Sequence, residues 1–291
     1  MEVGQRVIAG DGRGEIVEVA AGAALVRDAC TSRTRWHFLS DVAPVERSCA
    51  IAPDSLPQPL RVFGIAPSPT SNENMLIFLH GLGDTHDALF ALGSTMALPQ
   101  TAVMSVRAPL ALPFDLGYAW YHALDNDGNV LLPRAASAAR SQSLAEVVTH
   151  WHQLLHVLHV DYGWPYARMF LFGFAQGATT ALHVAASTTQ RLGGVVSVSG
   201  AFLSAPNGQR ATPALLLQAR DDSLVPTADA AQTATWAAQA LGKVSARTFD
   251  GPGPLALNAR ERMAPVMEFL ADTLHLRNLA LEQQADLIEI K

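Results

Sequence analysis

Two periodicities alternate along most of this chain. Near-continuous apolar runs occur at Met75 to Leu79, Thr101 to Val106, Met169 to Phe172, Gly194 to Val198, Ala214 to Gln218 and Ala246 to Phe249. Between and after them lie stretches with helical spacing, notably Ser143 to His159, Gly177 to Ser187, Ala228 to Leu241 and Arg260 to His275. A strand whose residues are nearly all apolar is buried on both faces, and intervening helices supply the cover. The pattern therefore predicts an α/β fold built on a doubly wound, mostly parallel sheet.

The first 48 residues follow another rule. Short β-patterned runs at Gln5 to Ile8, Glu15 to Val19, Ala23 to Arg27 and Thr34 to Phe38 are punctuated by Gly10, Gly12, Gly14 and Gly22. So short a β segment buries its apolar face only by curling into a small sheet or barrel. It loosely resembles SH3-like barrels, modules that bind peptides or dock onto neighbours. From Glu46 to Pro59 the chain is rich in Pro, Ser and Ala, and Pro53, Pro57 and Pro59 interrupt regular structure. The expected organisation is a β-rich module over 1–48, a linker over 49–59, the α/β domain over 60–275 and a tail over 276–291. Leu279, Leu281 and Leu287 give that tail the look of a solvated helix suited to docking.

Composition narrows the function classes. The 291 residues are 49% hydrophobic and 16% charged, too apolar for a disordered chain. No uninterrupted apolar run reaches the ~18 residues of a membrane span. A net charge of -6 with no basic patch argues against nucleic-acid binding. Two cysteines, Cys30 and Cys49, make neither a disulfide framework nor a common zinc motif. The start, Met1-Glu2-Val3-Gly4-Gln5, has neither the apolar core of a signal peptide nor an Arg-rich transit character, so residence in the cytoplasm is expected.

The candidate chemistry sits at Phe170-Leu171-Phe172-Gly173-Phe174-Ala175-Gln176-Gly177. An apolar strand entering a glycine-flanked turn and then a small-residue helix is the pattern of a hydrolase nucleophile elbow, Gly-x-Ser-x-Gly. Here Ala175 occupies the serine position, and a methyl group neither attacks a carbonyl nor answers to a base.

Three further segments accompany it in order: His80-Gly81-Leu82-Gly83-Asp84-Thr85, Arg107-Ala108-Pro109, and Leu112 through Tyr121, which ends Tyr118-Ala119-Trp120-Tyr121. Together they resemble the phospholipase/carboxylesterase family of α/β-hydrolases, which includes the acyl-protein thioesterases. The likeness covers about residues 60 to 275. It implies that Leu82 and Gln176 hold the positions whose backbone N–H groups form the oxyanion hole, with His80, Gly81, Trp120 and Tyr121 at the pocket rim. It also implies that Asp222, in Asp222-Ser223-Leu224-Val225-Pro226, stands at the triad acid. The His-Gly usual before that acid is replaced by Ala219-Arg220. The family's catalytic histidine follows a glycine between the last strand and the last helix, where this chain reads Asp250-Gly251-Pro252-Gly253-Pro254. Pro254 holds its place, and no histidine occurs between His183 and His275.

Other constellations carry less. His150, His152, His156 and His159, with Trp151, crowd one helix without a carboxylate to complete a metal motif. Asp125-Asn126-Asp127-Gly128-Asn129 suggests a calcium loop but lacks its closing glutamate and reads as an Asp-Gly turn. Thr179, Thr180, Ser197 and Ser199 lie near the elbow without being on it. No cofactor or metal is expected. The sequence-level expectation is an inactive hydrolase that serves as a structural or binding subunit in a larger protein assembly. The alternatives are a carboxylesterase or acyl thioesterase carrying a Ser-to-Ala change, and a protein that binds an acyl or lipid ligand in the vestigial pocket.

Overall fold

The computed structural model describes residues 6–9, 12–20, 23–28, 33–38, 42–44 and 47–276. Cys30 and nearly all of the expected helical tail lie outside the described residues.

The N-terminal segment forms five antiparallel strands, β1 (Arg6–Ala9), β2 (Gly12–Ala20), β3 (Ala23–Asp28), β4 (Thr34–Phe38) and β5 (Val42–Pro44). They pair in the order β4-β3-β2-β1-β5 around a small core of Val7, Ile16, Ala24 and Val26. The order is open, with no β4–β5 pairing among the described residues. The short strand β5 was not anticipated, because Val42-Ala43-Pro44 is too brief to show a period.

The proline-rich segment after it is more ordered than a tether. Its prolines start two short 3-10 turns, Pro53–Ser55 and Gln58–Leu60, and Ile51, Leu56 and Leu60 are buried in the main core. Tyr162 secures it from the far side: its carbonyl accepts from Ser48 N–H at 3.1 Å and its hydroxyl from Ala52 N–H at 2.9 Å.

The main sheet begins with β6 (Phe63–Ala66), β7 (Asn74–Leu79) and β8 (Thr101–Val106), with α1 (Asp87–Thr95) between the last two. A two-stranded hairpin follows, β9 (Leu110–Ala111) and β10 (Tyr118–Ala119). Then come α2 (Ala138–Val160), β11 (Met169–Phe174), α3 (Gln176–Ser187), β12 (Gly194–Val198), β13 (Ala214–Asp222), α4 (Thr227–Ala240), β14 (Val244–Gly253) and α5 (Arg260–Thr273). Seven strands lie in the order β14-β13-β12-β11-β7-β8-β6. All neighbours are parallel except the edge pair β6–β8.

Alternation along β7 shows why its run of apolar residues is unbroken. Met75, Ile77 and Leu79 face one core with Trp151, Leu154, Ala181 and Ala237, so α2, α3 and α4 cover that side. Leu76 and Phe78 face the other core with Val266 and Leu270, where α5 and α1 lie. Both faces need apolar cover, so both parities of the strand are apolar. α2 starts five residues before the expected Ser143, because Ser137 caps it, its hydroxyl accepting from Arg140 N–H at 3.2 Å. No helix among the described residues is long and apolar enough to cross a membrane.

Candidate functional site

The elbow has the geometry of a nucleophile turn, with alanine at its centre. β11 ends at Phe174, α3 begins at Gln176, and Ala175 joins them at φ 47°, ψ −112°. A residue with a Cβ pays roughly 1–3 kcal/mol to hold such a conformation. Its surroundings impose it: Ala175 N–H donates to Val198 O at 2.8 Å and its carbonyl accepts from Thr179 N–H at 3.1 Å. The flanking glycines are equally constrained. A Cβ on Gly173 would lie 2.3 Å from Ala178 Cα, and one on Gly177 would lie 2.1 Å from the Leu79 carbonyl oxygen. The tight turn thus depends on the two glycines and the sheet, not on the side chain between them.

Behind the elbow, buried polar groups lock three segments together. Gln176 accepts from Trp120 N–H through Oε1 and donates to the Tyr121 carbonyl through Nε2, both at 2.8 Å. The Trp120 indole N–H donates to the His80 carbonyl at 2.8 Å. His80 Nε2 accepts from Ala108 N–H at 2.9 Å, and its Nδ1 lies 2.7 Å from the Gly81 carbonyl, which fixes the Nδ1–H tautomer. Desolvation lowers the His80 pKa, keeping the ring neutral in that role. His80 and Trp120 are fully buried and brace the site from behind instead of forming its rim, because their polar atoms are consumed inside the fold. Gly81 packs on the Phe174 ring beside Ala175.

The cavity above Ala175 is small, about 70 Å³. Leu82, Tyr121, Ala175, Gln176, Thr179 and Ser199 are among its walls. Among the described residues Leu82 N–H enters no loop or turn hydrogen bond, and Gln176, as first residue of α3, is one of the N-terminal donors without an intrahelical acceptor. The two positions expected at the oxyanion hole therefore border the cavity. Arg140, which sequence reasoning missed, also reaches it. Its buried guanidinium donates to the carbonyls of Leu131, Leu132, Pro133 and Ala135, tying down the segment before α2. Burial pushes the Tyr121 phenol up to about 12.

At the acid position, Asp222 ends β13 and is buried. Oδ1 accepts from Leu224 N–H at 2.9 Å and Val225 N–H at 3.1 Å. Oδ2 is buried with no hydrogen-bond partner among the described residues. Gly253 of β14 pairs with Asp222 so closely that a Cβ there would come 2.3 Å from the carboxyl carbon and Oδ2. Pro254 follows directly across a cis peptide bond.

The residues 61–274 match the model of a family described as phospholipase/carboxylesterase. The chain belongs to that family. Among curated relatives, an uncharacterized hydrolase of Mycosarcoma maydis is 39% identical over 153 residues, covering 50% of this chain and 55% of its own. An uncharacterized hydrolase of Schizosaccharomyces pombe is 31% identical over 157 residues, covering 50% of this chain and 62% of its own. The chain thus spans somewhat over half the length of these relatives. Zea mays acyl-protein thioesterase 2 matches in structure at a TM-score of 0.56 and 19% identity, covering 74% of this chain and 99% of that one. That likeness is one of fold.

The family's site also clarifies the side chains outside it. Thr179 Oγ1 accepts from Ala201 N–H, Thr180 donates to the Gln176 carbonyl and Ser199 Oγ accepts from Leu255 N–H. Ser197 is wholly buried, its hydroxyl without a hydrogen-bond partner among the described residues. None of these hydroxyls lies within hydrogen-bond reach of a histidine among the described residues. On α2, His152 Nε2 meets Ser187 Oγ at 3.0 Å, His159 Nδ1 meets the Trp164 carbonyl at 3.0 Å and His150 faces Gln153, so these histidines diverge. Asp125 Oδ1 accepts from Asp127 and Asn129 N–H, closing its own turn.

Proposed function

We propose that this chain is a catalytically silent member of the phospholipase/carboxylesterase family, retained as a binding or structural subunit of a protein assembly. The observation that carries the reading is the unpartnered Asp222 Oδ2 beside Gly253 and Pro254. A working triad would spend that oxygen on its histidine. Ala175 at the elbow removes the nucleophile as well. Loss of the serine or the histidine alone costs roughly 10⁶-fold in turnover, so the remaining acid and oxyanion donors would not sustain esterase chemistry.

Size supports a non-catalytic role. A cavity of about 70 Å³ is far below the roughly 300–1,000 Å³ of a small-molecule pocket, which disfavours an acyl or lipid ligand at the elbow. Protein docking is favoured by apolar groups left outside: Phe114 is 94% and Leu116 62% exposed on the β9–β10 hairpin. The competing reading, an active hydrolase with serine replaced by alanine, draws on the description of its curated relatives as hydrolases.

Labelling with a fluorophosphonate, read by intact mass, separates the two. The silent-domain reading expects Ala175→Ser to remain unlabelled, because no base activates the new hydroxyl. Stoichiometric labelling of Ala175→Ser would favour the hydrolase.

A further inference from the structure

A second cleft, about 550 Å³, opens on the other side of the Trp120–Tyr121 segment and shares no lining residue with the elbow cavity. Tyr121 lines the elbow cavity and Trp120 the second cleft. The cleft lies between residues 58–62, the loop after β8 and the first half of α2.

Its charge is distinctive. The Arg107 guanidinium lies 4.2 Å from the centroid of the Tyr118 ring and makes neither an ion pair nor a hydrogen bond among the described residues. The backbone holds it in place: Arg107 N–H donates to the Val62 carbonyl at 2.9 Å, and the next amide is bonded to His80. Several other arginines on this fold are spent. Arg47 pairs with Glu73 at 2.7 Å, Arg61 with Asp54 at 3.1 Å and Arg220 with Asp250 at 2.6 Å, while Arg140 is held by carbonyls. Only Glu146 brings a negative charge to the cleft lining, and Gln142 donates to it at 2.9 Å. Pro59, Val62, Pro109, Leu110 and Val147 form the apolar part of a wall that also carries Gln58, Arg61, His122, Ser143 and His150.

We propose that this cleft binds a small organic carboxylate with a flat apolar body, its carboxylate paired to Arg107. A guanidinium seated over an aromatic face still has N–H donors for a planar two-oxygen acceptor, which a carboxylate matches in a bidentate pair. Glu146 in the same cleft opposes a dianion, so a single negative charge fits better than a phosphate. The prolines and aliphatic side chains desolvate the body of the ligand and strengthen the charged contact. The inference stands whether or not the elbow is silent, since the two cavities are separate.

The test is calorimetric titration of the full chain with 2-naphthoate, its neutral isostere 2-naphthamide, and inorganic phosphate. Naphthoate should bind the unmodified protein, and Arg107→Gln should weaken it by about tenfold or more, the worth of one charge-assisted contact. Naphthamide should bind more weakly and respond little to that change. Glu146→Gln should tighten naphthoate, which keeps the proposal open to refutation if Arg107→Gln fails to fold. The proposal is overturned if naphthoate does not bind, if it binds Arg107→Gln as well as the unmodified protein, if Glu146→Gln leaves its affinity unchanged, or if phosphate binds as tightly.

Discussion

Asp222 carries the residue-scale consequence of the proposed silent site. A buried carboxylate with one oxygen satisfied by two backbone amides and the other by nothing bears an uncompensated desolvation cost of roughly 1–3 kcal/mol. Asp222→Asn removes the charge and keeps an oxygen for the Leu224 and Val225 amides. It should leave stability unchanged or raise it by about 1 kcal/mol, read as the midpoint of urea denaturation. A loss of several kcal/mol would mean that Oδ2 has an essential partner. The identities of Ala175, Asp222 and Pro254 were legible in the sequence because each occupies a motif position. The state of Oδ2 was not, since it depends on how closely Gly253 of β14 approaches across the sheet.

At the scale of the element, the elbow turn survives because glycine and sheet contacts hold it, and the two kinds of information separate cleanly. The alternation of apolar strands and helices foretold β7, β8, β11, β12 and β13 to within a few residues, for their burial on both faces writes itself into composition. The edge strand β6 and the β9–β10 hairpin left no comparable signal: β6 is only half-buried and the hairpin strands have two residues each. Likewise the Gln176 clamp on Trp120 and Tyr121 joins positions far apart in sequence, so no local pattern announced it. Close approach at the elbow makes a sharp prediction. Gly177→Ala must move the Leu79 and His80 carbonyls and should cost ~3 kcal/mol or more, measured by chemical denaturation. A cost below 1 kcal/mol would show that α3 sits further from β7 than this packing requires.

Across the whole molecule, neutral buried histidines tie stability to pH. His183 accepts from Leu203 N–H through Nε2, and burial lowers its pKa from 6.5 to about 4. Because the folded value is depressed, the unfolded chain binds the proton first. This contribution is complete above pH 6.5 and is lost as the pH falls toward about 4. Burial shifts His80 and His152 in the same direction. The urea midpoint should therefore decline between pH 7.5 and 5, and His183→Gln, which keeps an acceptor without the titration, should flatten part of that decline. An unchanged slope in His183→Gln would remove His183 from the account.

On the proposed reading the fold holds together without its reaction, because the strands, the glycines and the Gln176 clamp owe nothing to a serine. Steady-state hydrolysis of p-nitrophenyl butyrate by the unmodified chain, Ala175→Ser and Ala175→Ser/Asp222→Asn tests that claim most directly. The account predicts that all three match the buffer rate. Turnover by the unmodified chain, or turnover by Ala175→Ser that the added Asp222→Asn abolishes, would contradict it.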